Sequence, residues 1–355
     1  MRVFAILHEP AQYTTDRNHA VYDHMGVRYA YMHGQSEAKS DEGDAEKPLS
    51  ELSFLSLVAW IWKQLKENDV IIMNGYTNKV FICLFVLNYL FGRTIGIDSD
   101  TPLSIPEKRI KRIIKFLFLS TIFRNRHIYG LAGGEYTHKD LFRHYGMKEG
   151  HIFLMPMMVN NEKFYVKEKV KHDIFTFLYV GRVVACKNLL VMIDAFIQQF
   201  NSNEKVQLRI VGGGELLDTF KQKYAEHQNI VFAGKHFGED LIRQYHGANV
   251  FVLPSSFEPW GLVVNEAMSA SLPVIVSNRV GAADDLVKNR DTGFVFQFDN
   301  VQDLAETMRI LKDDEELYKR MSDNAYRFMH DNWNYGLYSQ CLRSFLEHVE
   351  NNRVC

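Results

Sequence analysis

The longest apolar run in this 355-residue sequence, VFICLFVLNYLFG at 80–92, falls short of the ~20 residues that ~30 Å of hydrocarbon demands, so no membrane-spanning helix is expected. A basic excess is also lacking: 41 Lys and Arg stand against 43 Asp and Glu, which argues against a general nucleic-acid binder. Cysteine is sparse and unpatterned. Cys83, Cys186, Cys341 and Cys355 show neither C-x-x-C spacing nor neighbouring histidine pairs, which leaves no recognisable zinc site or disulfide framework and fits a reducing cytoplasm. The opening MRVFAILHEP lacks the length and cleavage site of a signal peptide and reads as a first strand.

What the sequence does have is a globular composition, 46% hydrophobic and 24% charged, in a chain long enough for two cores. Short β-branched and apolar runs alternate with helix-length segments: RVFAIL, DVIIMN, RTIGI, HIYGLA and HIFLMP, then IFTFLYVG, VQLRIVG, NIVFAG, NVFVLP, LPVIVS and TGFVF. Continuous apolar strands separated by helices predict parallel sheets covered on both faces, the doubly wound α/β class. The charged stretch NNEKFYVKEKVKHD at 160–173 parts the two series and predicts a linker, with Rossmann-like domains at 1–165 and 166–334. GQSEAKSDEGDAEKP at 34–48 has almost no apolar side chains and reads as a solvated loop. The segment 335–355 reads as a helix whose stripe of Leu337, Cys341, Leu342, Phe345 and Leu346 needs a partner.

Three features carry chemistry. After NVFVLP comes a loop, Ser255 to Trp260, then Gly261 and the helix-like LVVNEAMSA. In open α/β sheets ligands sit beyond the carboxyl ends of strands, where this loop falls. Gly261 allows close approach, and the N–H groups of Gly261, Leu262 and Val263 form an anion seat suited to a diphosphate. Glu258 before the helix and Glu266, about a turn and a half into it, can accept hydroxyl donors such as sugars and riboses supply. The second feature, YVGRVVACKN, sets Arg182 and Lys187 in the turn after another strand, where cations could stabilise a departing phosphate. The third, VGGGE, puts Gly213 in a strand-to-helix turn near the nucleotide. It fails as a dinucleotide fingerprint because Leu217 stands at the third glycine position.

Taken in order, GRVVACKN, VGGGE, FAGKHF, SSFEPWGLVVNEAMSASLPVIVS and GAADDLV resemble the successive motifs of the family 4 retaining glycosyltransferases of GT-B fold. The likeness covers the second half strongly and the first half weakly. It implies that Glu258 bonds hydroxyls of the donor sugar, Glu266 the ribose, and Arg182 with Lys187 the diphosphate. The backbone of Gly261 to Val263 would complete the phosphate seat, with Lys235 and His236 near the base. It further implies an acceptor-binding first domain, a nucleotide-sugar-binding second domain, and a C-terminal helix crossing back onto the first.

The first half departs from the family pattern. LHEPAQYTTDRNHA stands where a glycine-rich turn is expected and TIGIDSDTPLS where a histidine is, so Asp98 or Asp100 becomes the catalytic candidate there, with His8, Glu9 or Arg17 lining the site. The Asp98-x-Asp100 pair also raises a metal-dependent transferase as an alternative, since carboxylates can hold a divalent cation on a diphosphate. A sugar-nucleotide epimerase and a non-catalytic membrane scaffold are the others. The expectation is a retaining, metal-independent hexosyl-type transfer to a glycan or lipid-linked acceptor, with no cofactor, in cell-envelope polysaccharide synthesis. PEKRIKRIIKFLFLSTIFRNRH at 106–127 sets Lys108, Arg109, Lys111, Arg112 and Lys115 beside Ile110, Ile113, Ile114 and Leu117, a pattern suited to an anionic membrane surface.

Overall fold

The computed structural model describes residues 1–34, 48–165, 173–200 and 204–353. Most of the loop expected at 34–48, and residues 166–172 of the expected linker, lie outside that set. The chain forms two units, Met1–Met158 joined by the stretch from Tyr335 onward, and Val159–Asn334. Asn161 shows why the division comes before residue 165. Its Nδ2 donates to the Met329 and Trp333 carbonyls at 2.7 and 3.0 Å, and its Oδ1 accepts from Ser269 Oγ at 3.0 Å, so this part of the charged stretch is built into the second unit.

The first unit holds strands β1 (Val3–Leu7), β2 (Arg28–Tyr31), β3 (Val70–Asn74), β4 (Thr94–Ser99), β5 (Ile128–Ala132) and β6 (Ile152–Leu154), ordered β2-β1-β3-β4-β5-β6 and paired in parallel throughout. β2 has no counterpart among the runs read from sequence. It is a short, half-exposed edge strand, so nothing forces an apolar run on it. The second unit repeats the design with β7 (Phe175–Val180), β8 (Val206–Val211), β9 (Ile230–Gly234), β10 (Val250–Leu253), β11 (Val274–Ser277) and β12 (Gly293–Phe296), ordered β12-β11-β10-β7-β8-β9. Each sheet therefore reverses its winding once, between β1 and β3 in the first and between β7 and β10 in the second. The crevice at such a reversal is where doubly wound sheets receive ligands.

The Tyr335–Arg353 helix packs on the first sheet. Its buried face is Tyr338, Leu342, Phe345 and Val349, whereas Leu337, Cys341 and Leu346 of the expected stripe are half-buried. Phe345 meets Tyr129 and Phe153 edge-on at 5.6 and 5.5 Å, and Gly96 in β4 makes room, since a Cβ there would come within 3.3 Å of the Phe345 ring. Tyr338 enters the buried face because its hydroxyl is satisfied by Tyr22, 3.0 Å away. The basic segment forms the Arg109–Phe123 helix, buried only through Leu119, Ser120, Ile122 and Phe123. Ile110, Ile113, Ile114 and Leu117 are exposed.

Candidate functional site

The winding reversal of the second sheet gathers the loops that follow β7 and β10. The β7 loop runs from Gly181 through Arg182 to Asn188, which adopts a left-handed conformation (φ 51°) as it enters the Leu189–Gln199 helix. The β10 loop is tied to it at Cys186, whose carbonyl accepts from the Ser256 N–H at 2.9 Å and Ser256 Oγ at 3.0 Å. Across this join Lys187 Nζ donates to Glu258 Oε2, in an ion pair with both side chains about seven-eighths buried (13% and 15% exposed). Two residues 71 positions apart, singled out separately in the sequence, thus meet at one point. Arg182 is not drawn into the pair: its side chain is exposed, and its carbonyl accepts from the Tyr179 hydroxyl at 2.7 Å, which fixes the turn.

Glu258 is held on its other side by the segment after β11. Its N–H donates to Arg279 O at 3.2 Å, its carbonyl accepts from Gly281 N–H at 2.9 Å, and it bridges to Val280. Gly281, which opens the GAADDLV motif, is required because any Cβ would run into the Pro259 carbonyl. The loop's end is anchored by buried Trp260, which stacks on Trp333 at 5.7 Å and donates from Nε1 to Asn265 Oδ1 at 2.8 Å.

Gly261 then takes a left-handed conformation (φ 97°) and caps the Leu262–Ser269 helix without a side-chain cap. The first N–H groups of a helix have no partner within it, so Gly261, Leu262 and Val263 offer an anion seat beside the Lys187–Glu258 pair. Further into the helix, Glu266 Oε2 accepts from the buried Tyr245 hydroxyl at 2.5 Å. Burial pushes the Glu266 carboxyl up to about 7, against the opposing pull of the Tyr245 bond.

Gly213 lies under the Lys235 side chain, where a Cβ would come 2.8 Å from Lys235 Cε. Gly212 and Gly214 press against the Gly181 and Val183 carbonyls, so the VGGGE glycines serve close packing against the β7 loop. His236 Nε2 lies 3.2 Å from Ala233 O, and Lys235 is exposed. Tyr245, Trp260 and Asn265 had no signal in the sequence. A tyrosine on a polar helix and a tryptophan in a loop read as ordinary packing until their partners are seen.

The first unit's own winding reversal is built differently. Asn74 at the end of β3 accepts from the His8 N–H at 3.2 Å and donates to Asp98 Oδ2 at 2.8 Å. Arg17 lies 3.9 Å from Asp98, and its guanidinium sits 4.9 Å over the Tyr22 ring and 5.3 Å from that of Tyr338. Asp98 is 6% exposed, and burial raises its carboxyl to about 6 despite Arg17 and Asn74. Its carboxylate is thus engaged inside the unit rather than presented outward, and Asp100 follows it beyond the strand end. Among the described residues no group of three His, Cys, Asp or Glu is placed to hold a metal ion.

Residues 160–328 match the family model described as "Glycosyl transferases group 1". The capsular polysaccharide biosynthesis glycosyltransferase CapM of Staphylococcus aureus is 30% identical over 185 residues, 51% of this chain and 48% of that protein. The UDP-Gal:alpha-D-GlcNAc-diphosphoundecaprenol alpha-1,3-galactosyltransferase of Escherichia coli is 32% identical over 180 residues, 47% of this chain and 46% of that protein. The chain spans about half the length of the curated relatives it matches. Among solved structures, Anabaena Alr3699/HepE in complex with UDP superposes with a TM-score of 0.75 over 98% of this chain and all of that one, at 14% identity, a likeness of fold. The family match is confined to residues 160–328, and the two Rossmann-like units have the GT-B fold.

Proposed function

We propose that the protein is a hexosyl-type glycosyltransferase that takes its sugar from a nucleotide-sugar donor, without a metal and with retention of anomeric configuration. The observation that carries this is the Lys187–Glu258 pair standing beside the uncapped Gly261 helix start at the second sheet's winding reversal. A donor diphosphate on the Gly261–Val263 N–H groups would draw Lys187 toward it and free Glu258 to accept sugar hydroxyls. Glu266, ionised, would accept from the ribose while Tyr245 holds its other oxygen, and Lys235 and His236 would border the base. As the sugar–phosphate bond breaks, charge gathers on the departing diphosphate. Lys187, Arg182 and the helix N–H groups oppose it through charge-assisted bonds worth about 1.5–3 kcal/mol each.

The acceptor in this reading is a glycan or a lipid-linked saccharide of the cell envelope. Two relatives support it by name: one belongs to capsular polysaccharide biosynthesis, the other transfers to a diphosphoundecaprenol-linked sugar. The protein would work at the inner face of the membrane, docked through residues 106–127. Four cations, Arg109, Lys111, Arg112 and Lys115, crowd the first half of the Arg109–Phe123 helix with no acid among them, opposing the helix dipole. An anionic bilayer offsets that cost and covers the exposed isoleucines.

Calorimetric titration of UDP, GDP, ADP and dTDP into the wild type and Glu266→Ala, in EDTA, tests the donor site. One nucleotide should bind without metal and bind more weakly to the variant. Binding that appears only after manganese is restored would withdraw the assignment.

A further inference from the structure

A cavity of about 570 Å³ lies at the amino edge of the first sheet, the opposite edge from Asn74 and Asp98. Arg126, His127, Lys148, His151, His348 and Arg353 line it, and no acidic side chain does. Of the nearby acids, Asp69 pairs with Arg353 at 3.2 Å and so offsets one of these cations, while Glu149 accepts from Arg143 Nε at 3.0 Å. Cations at helix C-termini commonly offset the helix dipole. That accounts for Arg353 at the end of the Tyr335–Arg353 helix, but not for Lys148, which stands at the start of the short Glu149–His151 turn. The pocket is also preformed. The His151 ring stacks on Tyr129 at 4.3 Å and 6°, with Nδ1 3.1 Å from Ile128 O. His127 and His348 are held below the ordinary imidazole range, by burial first and then by Arg126 and Arg353 for His127 and by His151 for His348. The positive charge of the pocket thus rests on Arg126 and Lys148, with no acid in the lining to offset it.

A second cavity of about 490 Å³ shares Gly92, Arg126 and His127 with the first and adds Phe85 and Tyr89. Both aromatic residues belong to the Lys79–Phe91 helix, which is apolar almost all round yet exposes Val86 (58%), Tyr89 (66%) and Leu90 (70%). A basic pocket that runs into an exposed apolar helix face matches one chemistry, an anion carried on a hydrocarbon chain. We infer that this pocket binds the phosphoryl headgroup of an anionic lipid, whose chain lies along Phe85, Tyr89 and Leu90. Basic pockets beside membrane-facing helices select anionic headgroups in this way. The inference goes beyond the donor site, which lies in the other unit, and beyond the Arg109–Phe123 helix.

The test titrates a short-chain phosphatidic acid, below its micelle concentration so that no bilayer is needed, alongside the matching phosphatidylcholine and glycerol 3-phosphate. The expected result is saturable binding of the phosphatidic acid alone, weakened about tenfold or more in Lys148→Glu/His348→Glu. Arg126→Glu, at the exposed rim, replaces the double variant if the latter does not keep the wild-type melting temperature. Glycerol 3-phosphate binding as tightly as the lipid would overturn the lipid assignment. Failure of both to bind, or binding indifferent to charge reversal, would overturn the site. Nucleotide titration of the same samples reports on the donor proposal separately, so either can fail alone.

Discussion

Two crevices in this protein share one topology and differ in chemistry. In the second unit the winding reversal between β7 and β10 presents a lysine–glutamate pair, an uncapped helix start and a carboxyl group raised to about 7. In the first unit the reversal between β1 and β3 is closed upon itself, with Asp98 engaged by Asn74 and Arg17, and Arg17 set against two tyrosine rings. The fold supplies a crevice in both places. What favours the second as the proposed donor site is that its lysine–glutamate pair stands beside a helix start whose N–H groups have no partner within the helix.

The sharpest way to break the contrast is Arg17→Met. Removing one partner of a buried pair leaves Asp98 uncompensated and should cost about 3–5 kcal/mol in urea unfolding, with nucleotide affinity unchanged in the folded fraction. If affinity falls and stability holds, the first crevice is a site after all. In the second unit the roles should invert. Glu258→Gln keeps an acceptor oxygen for Lys187 Nζ, so it should lower turnover by about 10²–10³-fold while costing less in urea unfolding than Arg17→Met, read once a donor is identified from the nucleotide screen.

Glu266 sharpens the comparison through pH. If Glu266 accepts ribose hydroxyls as proposed, its ionised form is the one that does so, and nucleotide affinity should rise as pH rises through about 7 and level off above it. Stability should move the other way. The folded-state value lies above the unfolded one, so the native protein binds the extra proton, and this contribution is fully present below the unfolded value near 4.5 and lost as pH rises to about 7. Tyr245→Phe removes the bond that favours the ionised form. It should move the affinity midpoint upward and weaken binding at pH 7 by about tenfold. A midpoint that stays put would make Tyr245 a packing residue only. The smallest effect expected is for Trp260→Phe, which gives up the bond to Asn265 and should cost about 1 kcal/mol in unfolding while leaving the pH profile alone.

What was legible in the sequence followed the same division. The buried parallel strands announce themselves because both faces are covered and their runs are continuously apolar. β2 does not, because an edge strand with a half-exposed surface carries no such constraint. Lys187, Glu258 and Glu266 were readable because each sits at a fixed offset from a strand end and a glycine. Arg182, read as Lys187's companion on the diphosphate, is exposed and stands outside the Lys187–Glu258 pair, since spacing along a turn does not fix where a long side chain lies. Tyr338 was passed over in the C-terminal stripe because a tyrosine can be buried only where its hydroxyl finds a partner, and Tyr22 is more than 300 positions away.

That last contact bears on how the protein is made. The first unit consists of residues 1–158 together with the stretch from 335 onward, so its final helix leaves the ribosome only after the whole second unit has been synthesised. Until then β4 and β5 lack the ring of Phe345, and Arg17 lacks one of its two aromatic walls. The second unit, continuous in sequence, is complete before the first receives its helix at 335–353. A product stopped before residue 335 would hold all of the second unit and an unfinished first.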